Sequence, residues 1–186
     1  MSDDPIQTWV RIGDSTLEFQ QYFVHEKCKP QVSGFEYRGA TSARPSKALE
    51  SALESPSLEG IVICPSNPYL SIAPILEISG VLSAFKKHRH VIAISPIVGG
   101  EAIKGPAAKI MQEIGAEVSP VGVARFYEGV IHTLLIDRTD ARFAPRIEAL
   151  GIQPVVTDTV MRTPADRVRL AQECITLLRL TTRQAV

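Results

Sequence analysis

Four short runs of apolar residues, each rich in β-branched side chains and none alternating with polar ones, punctuate the chain after Leu58. They predict strands at 58–64 (ending I-V-I-C), 90–95 (H-V-I-A-I-S), 132–137 (H-T-L-L-I-D) and 153–158 (Q-P-V-V-T-D). Continuous apolar runs of this length are the signature of strands covered on both faces, as in a parallel sheet. Helical spacing fills the intervals. Helical turns are predicted from Ser71 to His88, interrupted at Ser79-Gly80, and a helix from Pro106 to Ile114 carries the stripe Ala107, Ile110, Met111 and Ile114 with Gly115 just past its end. A short strand at 116–119 and a short helix from Val123 to Val130 follow. Asp140 is the expected cap of a helix running to Leu150. Thr163 caps a last helix with Pro164 at its first position and Leu170, Cys174, Leu177 and Leu178 on its buried face. Repeated strand-then-helix order implies an α/β fold with a mostly parallel sheet and right-handed crossovers.

The first third has a different rhythm. T-W-V-R-I and V-S-G-F-E-Y-R-G alternate as half-buried strands do, with a turn at Gly13-Asp14-Ser15 and a second strand or short helix over Leu17 to Val24. Pro45-Ser46 precedes K-A-L-E-S-A-L-E, a helix with Ala48, Leu49, Ala52 and Leu53 on one face. Residues 1–57 therefore read as a small α+β lid or insertion, and residues 58–186 as the α/β core.

Composition narrows the classes. Twenty basic and twenty acidic side chains balance, with no long run of either sign, so no nucleic-acid patch is indicated. No apolar stretch reaches the ~18 residues that a membrane span requires. The acidic start M-S-D-D-P is unlike a secretory or mitochondrial presequence. Cys28, Cys64 and Cys174 lie far apart and pair in no framework, which suggests reduced thiols and a cytoplasmic setting. Cys64, within the first apolar run, reads as a small buried hydrophobe. His88 and His90, in K-K-H-R-H, read as a solvated helix end.

Candidate chemistry sits where the strands stop. The first run ends in P-S-N-P-Y-L-S-I, the second in S-P-I-V-G-G-E-A-I-K-G-P and the fourth in T-D-T-V-M-R. In a parallel sheet these ends share one edge, where open α/β folds hold their ligands. The contents suit a phosphorylated small molecule. Gly99, Gly100 and Gly105 let backbone N–H groups approach oxygens closely, and Ser66, Asn67, Ser71, Thr157 and Thr159 offer hydrogen bonds. Lys104 adds a positive charge, and free N–H groups at a helix start favour anions. Neither the dinucleotide fingerprint G-x-G-x-x-G nor the phosphate loop G-x-x-x-x-G-K-[ST] is present. Plain readings stand beside these: Gly99-Gly100 as a turn, Lys104 as a solvated side chain, Asp158 as a turn cap or else a metal ligand. Arg125, Tyr127 and Glu128 are site candidates that an amphipathic helix explains equally, and Asp137 and Arg138 read as surface groups. No residue stands out as a general base.

Taken together, P-S-N-P-Y-L-S-I-A-P-I-L, S-P-I-V-G-G-E-A-I-K-G-P-A-A-K, V-A-R-F-Y and V-T-D-T-V-M-R closely resemble the 2-phospho-L-lactate transferases of the CofD type, along nearly the whole chain. The opening M-S-D-D-P-I-Q-T-W-V and F-Q-Q-Y-F-V look like an internal segment of that family. The resemblance implies a doubly wound, Rossmann-like sheet with a lid, here incomplete. It implies transfer of a phospholactyl or phosphoenolpyruvyl group from a guanylylated donor to the deazaflavin precursor Fo in coenzyme F-420 biosynthesis, with release of GMP and assistance by Mg2+. Pro65, Ser66, Asn67, Pro68 and Ser71 fall on the family's strand–loop–helix motif, and Gly99, Gly100, Lys104, Gly105 and Pro106 on its second loop. Loop geometry assigns both to the donor's phosphates. The family's glycine-rich opening G-G-T-G-G, with the residues linked to magnesium and Fo, has no counterpart here, so the chain resembles the C-terminal portion alone. Two further expectations follow: an apolar sheet edge seeking a separate N-terminal half or a second copy, and, as alternatives to catalysis, a guanine-nucleotide-binding module or a structural fragment.

Overall fold

A computed structural model describes residues 1–102 and 105–183, with side chains through Arg179. Two strands open the chain, β1 (Gln7–Ile12) and β2 (Ser15–Glu18), joined at Gly13, whose φ of +56° suits glycine. A π-helical turn, Gln21–His25, leads to β3 (Gly34–Arg38), which pairs on the other side of β1. The order β2-β1-β3 is antiparallel throughout, with Val10 opposite both Leu17 and Phe35. The Leu17–Val24 stretch is thus a strand followed by a helical turn. Helix α1 (Lys47–Glu54) begins where the Ser46 hydroxyl accepts from the Leu49 N–H, and its Leu49 and Leu53 lean on the main core.

The core alternates as predicted. β4 (Ile61–Ile63) is followed by a π-helical turn (Pro68–Ile72), α2 (Ala73–Leu76) and α3 (Val81–Lys87). β5 (Val91–Ile94) leads into a small hairpin, β6 (Ile97–Val98) and β7 (Glu101–Ala102), then α4 (Ala107–Glu113) and α5 (Pro120–Phe126). β8 (Thr133–Asp137), a 3-10 turn (Arg138–Phe143), α6 (Ala144–Glu148), β9 (Gln153–Thr157) and α7 (Pro164–Arg183) complete the chain. β4, β5, β8 and β9 form one sheet in that spatial order, every pair parallel. The result is a Rossmann-like α/β sheet with an antiparallel unit beside it.

The two faces of the sheet are unequal. Ile63, Val91, Ala93, Leu134 and Ile136 point to one side, where they meet Leu76, Phe85, Met111, Val123 and Ile147 from the helices between strands. Ile92, Ile94 and Leu135 point to the other and, among the described residues, meet α7 through Leu170, Cys174 and Leu178. A capping box fixes the start of α7: the Thr163 hydroxyl accepts from the Asp166 N–H, and the Asp166 carboxylate accepts from the Thr163 N–H at 2.7 Å. The antiparallel unit packs on α4, where Ile110 is enclosed by Val10, Tyr22 and Val32. Glu113 accepts there from the Val32 N–H, and the Tyr37 hydroxyl donates to the Tyr69 carbonyl.

Three local expectations change. The first apolar run forms a strand only over Ile61–Ile63, so Cys64 lies beyond it and is exposed, whereas Cys174 is buried as predicted. No strand forms over 116–119; Ser119, whose hydroxyl accepts from the Val121 and Gly122 N–H groups, starts α5 early with Pro120 at its first position. Asp140 does not cap α6. That helix opens at Ala144, and Asp140 turns inward.

Candidate functional site

Parallel pairing puts the carboxyl ends of β4, β5, β8 and β9, at Ile63, Ile94, Asp137 and Thr157, on a single rim. The loops opening at Pro65, Pro96 and Asp158 therefore rise from the same edge of the sheet, as expected of a ligand-holding α/β crevice.

After β4, Asn67 organises its own turn. Its Oδ1 accepts from the N–H groups of Tyr69 (3.0 Å) and Leu70 (3.1 Å), and its carbonyl accepts from the Ser71 N–H (3.0 Å). Three N–H groups at this helix start are consequently already used, unlike the free donors that the sequence suggested. The other end of the same amide, Nδ2, is buried and without a partner among the described residues. Pro68 is buried at the first helical position, Pro65 and Ser66 are half-buried and Ser71 is exposed. Neither serine hydroxyl makes a hydrogen bond among the described residues.

After β5, Gly99 and Gly100 are the two central residues of the β6–β7 hairpin, with Val98 paired to Glu101. Both have positive φ (+62° and +83°), the condition for the tight turn whose twist matches a two-residue hairpin loop. Their glycine character is thus required by the turn itself. The hairpin is tied across the rim by Asp140, whose Oδ2 accepts from the Gly99 N–H at 2.9 Å. Asp140 is fully buried, and its Oδ1 has no partner among the described residues. Gly105, exposed at φ +72°, and half-buried Pro106 lead into α4. Lys104 lies outside the described residues.

Asp137 corrects the surface reading. Its carboxylate is buried at the end of β8, opposite Thr157 in the sheet. Oδ1 accepts from the N–H and hydroxyl of Thr139, both at 3.0 Å, and Oδ2 from the N–H (3.0 Å) and hydroxyl (3.4 Å) of Thr159. Burial would push this acid up, but the four hydrogen bonds together outweigh it and hold the carboxyl below the usual carboxylate range. Thr159 is therefore committed to Asp137, and the Thr157 hydroxyl to Glu173 of α7 at 2.8 Å. Asp158 accepts from the Val160 N–H (3.2 Å) as a turn cap, and its carbonyl accepts from Arg169. Among the described residues, no three histidines, cysteines or carboxylates come together to hold a metal. On α5 Arg125 pairs with Glu117 at 3.5 Å, and just past its end Tyr127 is buried core and Glu128 exposed, as the amphipathic reading would place them.

Sequence reasoning thus missed Asp137 and Asp140. The first had a local signal, since Asp-x-Thr is an Asx-turn pattern. The second had none: Gly99 and Asp140 are forty-one positions apart and meet only because β5 and β8 are neighbours.

The family model of the 2-phospho-L-lactate transferase CofD matches residues 1–174. The chain is 35% identical over 172 residues to the 2-phospho-L-lactate transferase of Methanosarcina mazei, covering 92% of this chain and 56% of that protein. It is 36% identical over 182 residues to that of Methanopyrus kandleri, covering 96% and 56%. Against that of Halobacterium salinarum it is 38% identical over 178 residues, covering 94% and 48%. The chain spans about half the length of these curated relatives. With its parallel sheet, its shared rim and a match that runs through all three strand-end loops, the chain belongs to the 2-phospho-L-lactate transferase CofD family.

Proposed function

We propose that this chain supplies the phosphate-holding rim of a 2-phospho-L-lactate transferase. In that reading a hydroxyl oxygen of Fo attacks the phosphorus that bears the lactyl or enolpyruvyl group of a guanylylated donor. The bond from that phosphorus to GMP breaks, and the hydroxyl proton passes to solvent. Such a transfer is governed by positioning and charge stabilisation. The observation that carries the proposal is Asn67: its acceptor is used by the fold, while its Nδ2 donor is buried, unpaired among the described residues and set at the carboxyl end of β4. Unpaired buried donors are costly, and an oxyanion offsets that cost. Ser66 and Ser71 add hydroxyls that have no other partner among the described residues, and Lys104 a positive charge. Gly99, Gly100 and Gly105 leave three positions of the second loop without a side chain, while Thr157 and Thr159 shape the rim through Glu173 and Asp137.

The magnesium that the family resemblance implies does not fit the described residues, which hold no three-ligand group, and Asp158 is spent on its own turn. We place its ligands, with the Fo pocket, in the part of the family's length that this chain does not span. The same coverage favours a second reading, a guanine-nucleotide-binding module without catalysis.

Calorimetry with GDP tests the rim, in the chain alone and mixed with that unspanned part taken from the Methanosarcina mazei relative. Saturable heat supports nucleotide binding; none in either sample refutes it. Product formed from Fo and donor in the mixture supports the transferase, and nucleotide binding without product leaves the module.

A further inference from the structure

Two contacts between the antiparallel unit and the parallel core each adjoin a strand-end loop. The first is at the turn after β4. The Tyr37 hydroxyl of β3 donates to the Tyr69 carbonyl. The Phe35 ring, two residues back on the same face of β3, stacks on the Tyr69 ring with centroids 6.0 Å apart and planes 18° from parallel. Tyr69 and Leu70 are the residues whose N–H groups Asn67 caps, so β3 grips the very turn that Asn67 organises. Burial, with Glu77 nearby, pushes the Tyr37 phenol up, and its hydroxyl therefore stays a donor at neutral pH.

The second contact is at α4, which begins just after Gly105-Pro106 of the second loop. The Lys109 ammonium donates to the Pro30 carbonyl at 3.1 Å and pairs with Glu113, one helical turn on. Glu113 in turn accepts from the Val32 N–H at 3.0 Å. One apolar cluster fills the space between the two grips: Ile110 of α4 is buried among Val10, Tyr22 and Val32, and Phe35, Tyr69 and Leu70 pack against the same group. Among the described residues no hydrogen bond joins loop 65–71 to loop 96–106 directly.

We propose that the antiparallel unit is a brace that sets the spacing of these two loops, with Tyr37 and Glu113 as its positioning residues, so that one phosphate-bearing ligand meets both loops at once. The inference rests on the phosphate-holding reading of the rim and adds that side chains outside the loops govern the affinity. Packed interiors yield little, so a shift of α4 against Val32 passes through Ile110 to Tyr69 and on to the Asn67 turn. Loops held in register before the ligand arrives leave less ordering to be done on binding.

Hydrogen exchange and calorimetry with GDP on the full chain test the brace, using a variant at each grip. Tyr37→Phe keeps the ring and removes the donor to Tyr69; Glu113→Gln leaves an acceptor for only one of its two partners. Glu113→Gln is expected to speed exchange of the Tyr69 and Leu70 amides about threefold or more relative to the Leu135 amide, which reports unfolding of the whole chain. Tyr37→Phe is expected to do the same to the Val32 amide, at the opposite grip. Both variants should keep the circular dichroism of the unaltered chain and lose about threefold or more in GDP affinity. The proposal is overturned if each variant loosens its own grip alone, if all amides including Leu135 speed up alike, or if GDP affinity is unchanged. Should the unaltered chain bind no GDP in either sample described above, the rim reading fails, while the exchange pattern still decides whether the two loops are coupled. If Glu113→Gln does not fold, Tyr37→Phe, the loss of one oxygen, decides the matter by itself.

Discussion

Asn67 uses one amide in two directions, and the two uses are separable. Aspartate keeps the acceptor that caps Tyr69 and Leu70, and is as good an N-cap, but removes the Nδ2 donor and adds a negative charge at the rim. Asn67→Asp is therefore expected to weaken GDP by about tenfold or more, roughly 1.4 kcal/mol, and to lower stability by about 1–3 kcal/mol because it places an unpaired carboxylate oxygen where the buried Nδ2 stood; calorimetry and thermal melts on the same sample check both. Asp137 makes a prediction of another kind. Its folded pKa lies below the ~3.9 of an unfolded aspartate, so its stabilising contribution is present above that value and disappears as pH falls through the folded one. Urea denaturation should show stability steady from neutral pH to about 5 and falling below about 4. Asp137→Asn should flatten part of that acid limb and cost about 1–3 kcal/mol at neutral pH, because an amide cannot accept from Thr139 and Thr159 on both sides. Neither residue announces these roles in the bare sequence. Asn67 is legible as a cap, but its unpaired nitrogen is a matter of burial, and Asp137 needs Thr159 delivered from β9.

At the scale of elements, strands and helices with strong local signals were readable to within a residue or two. β5, β8 and β9 follow their apolar runs, and α7 follows its Thr163-Pro164 start. The misread pieces are short or ambiguous. A-E-V-S alternates like a strand, yet Ser119-Pro120 is a helix opening, and the capping hydrogen bonds of Ser119 decide the competition. The β6–β7 hairpin has two residues per strand, too few to show a period. In α5 the close approach of Gly122 to the preceding loop sets a testable constraint. A Cβ there would lie 1.9 Å from the Glu117 carbonyl oxygen, a backbone atom held in place while its side chain is gripped by Arg146 and Ser119. Gly122→Ala should lower stability by about 1–3 kcal/mol or more, read as a shift of the urea midpoint at constant slope.

Across the whole molecule, the antiparallel unit and the parallel core share side chains, with Ile110 of α4 buried among Val10, Tyr22 and Val32. The lone Trp9 lies in β1, so its fluorescence follows the antiparallel unit while far-ultraviolet circular dichroism follows the helices of the core. Coincident unfolding curves are expected, and Ile110→Ala, costing about 2–5 kcal/mol, should move both together; separate transitions would mean that the two sheets fold independently. Local periodicity, turn residues and caps are enough to give the strand and helix grammar, the α/β class and the three strand-end loops. That Asp140 holds Gly99, that Asp137 is buried under two threonines and that β4 stands at a border with the composition of an interior strand emerges with the packed fold. Each of those depends on which strands lie side by side, a choice made by contacts between residues far apart in the chain and therefore carried by no local pattern.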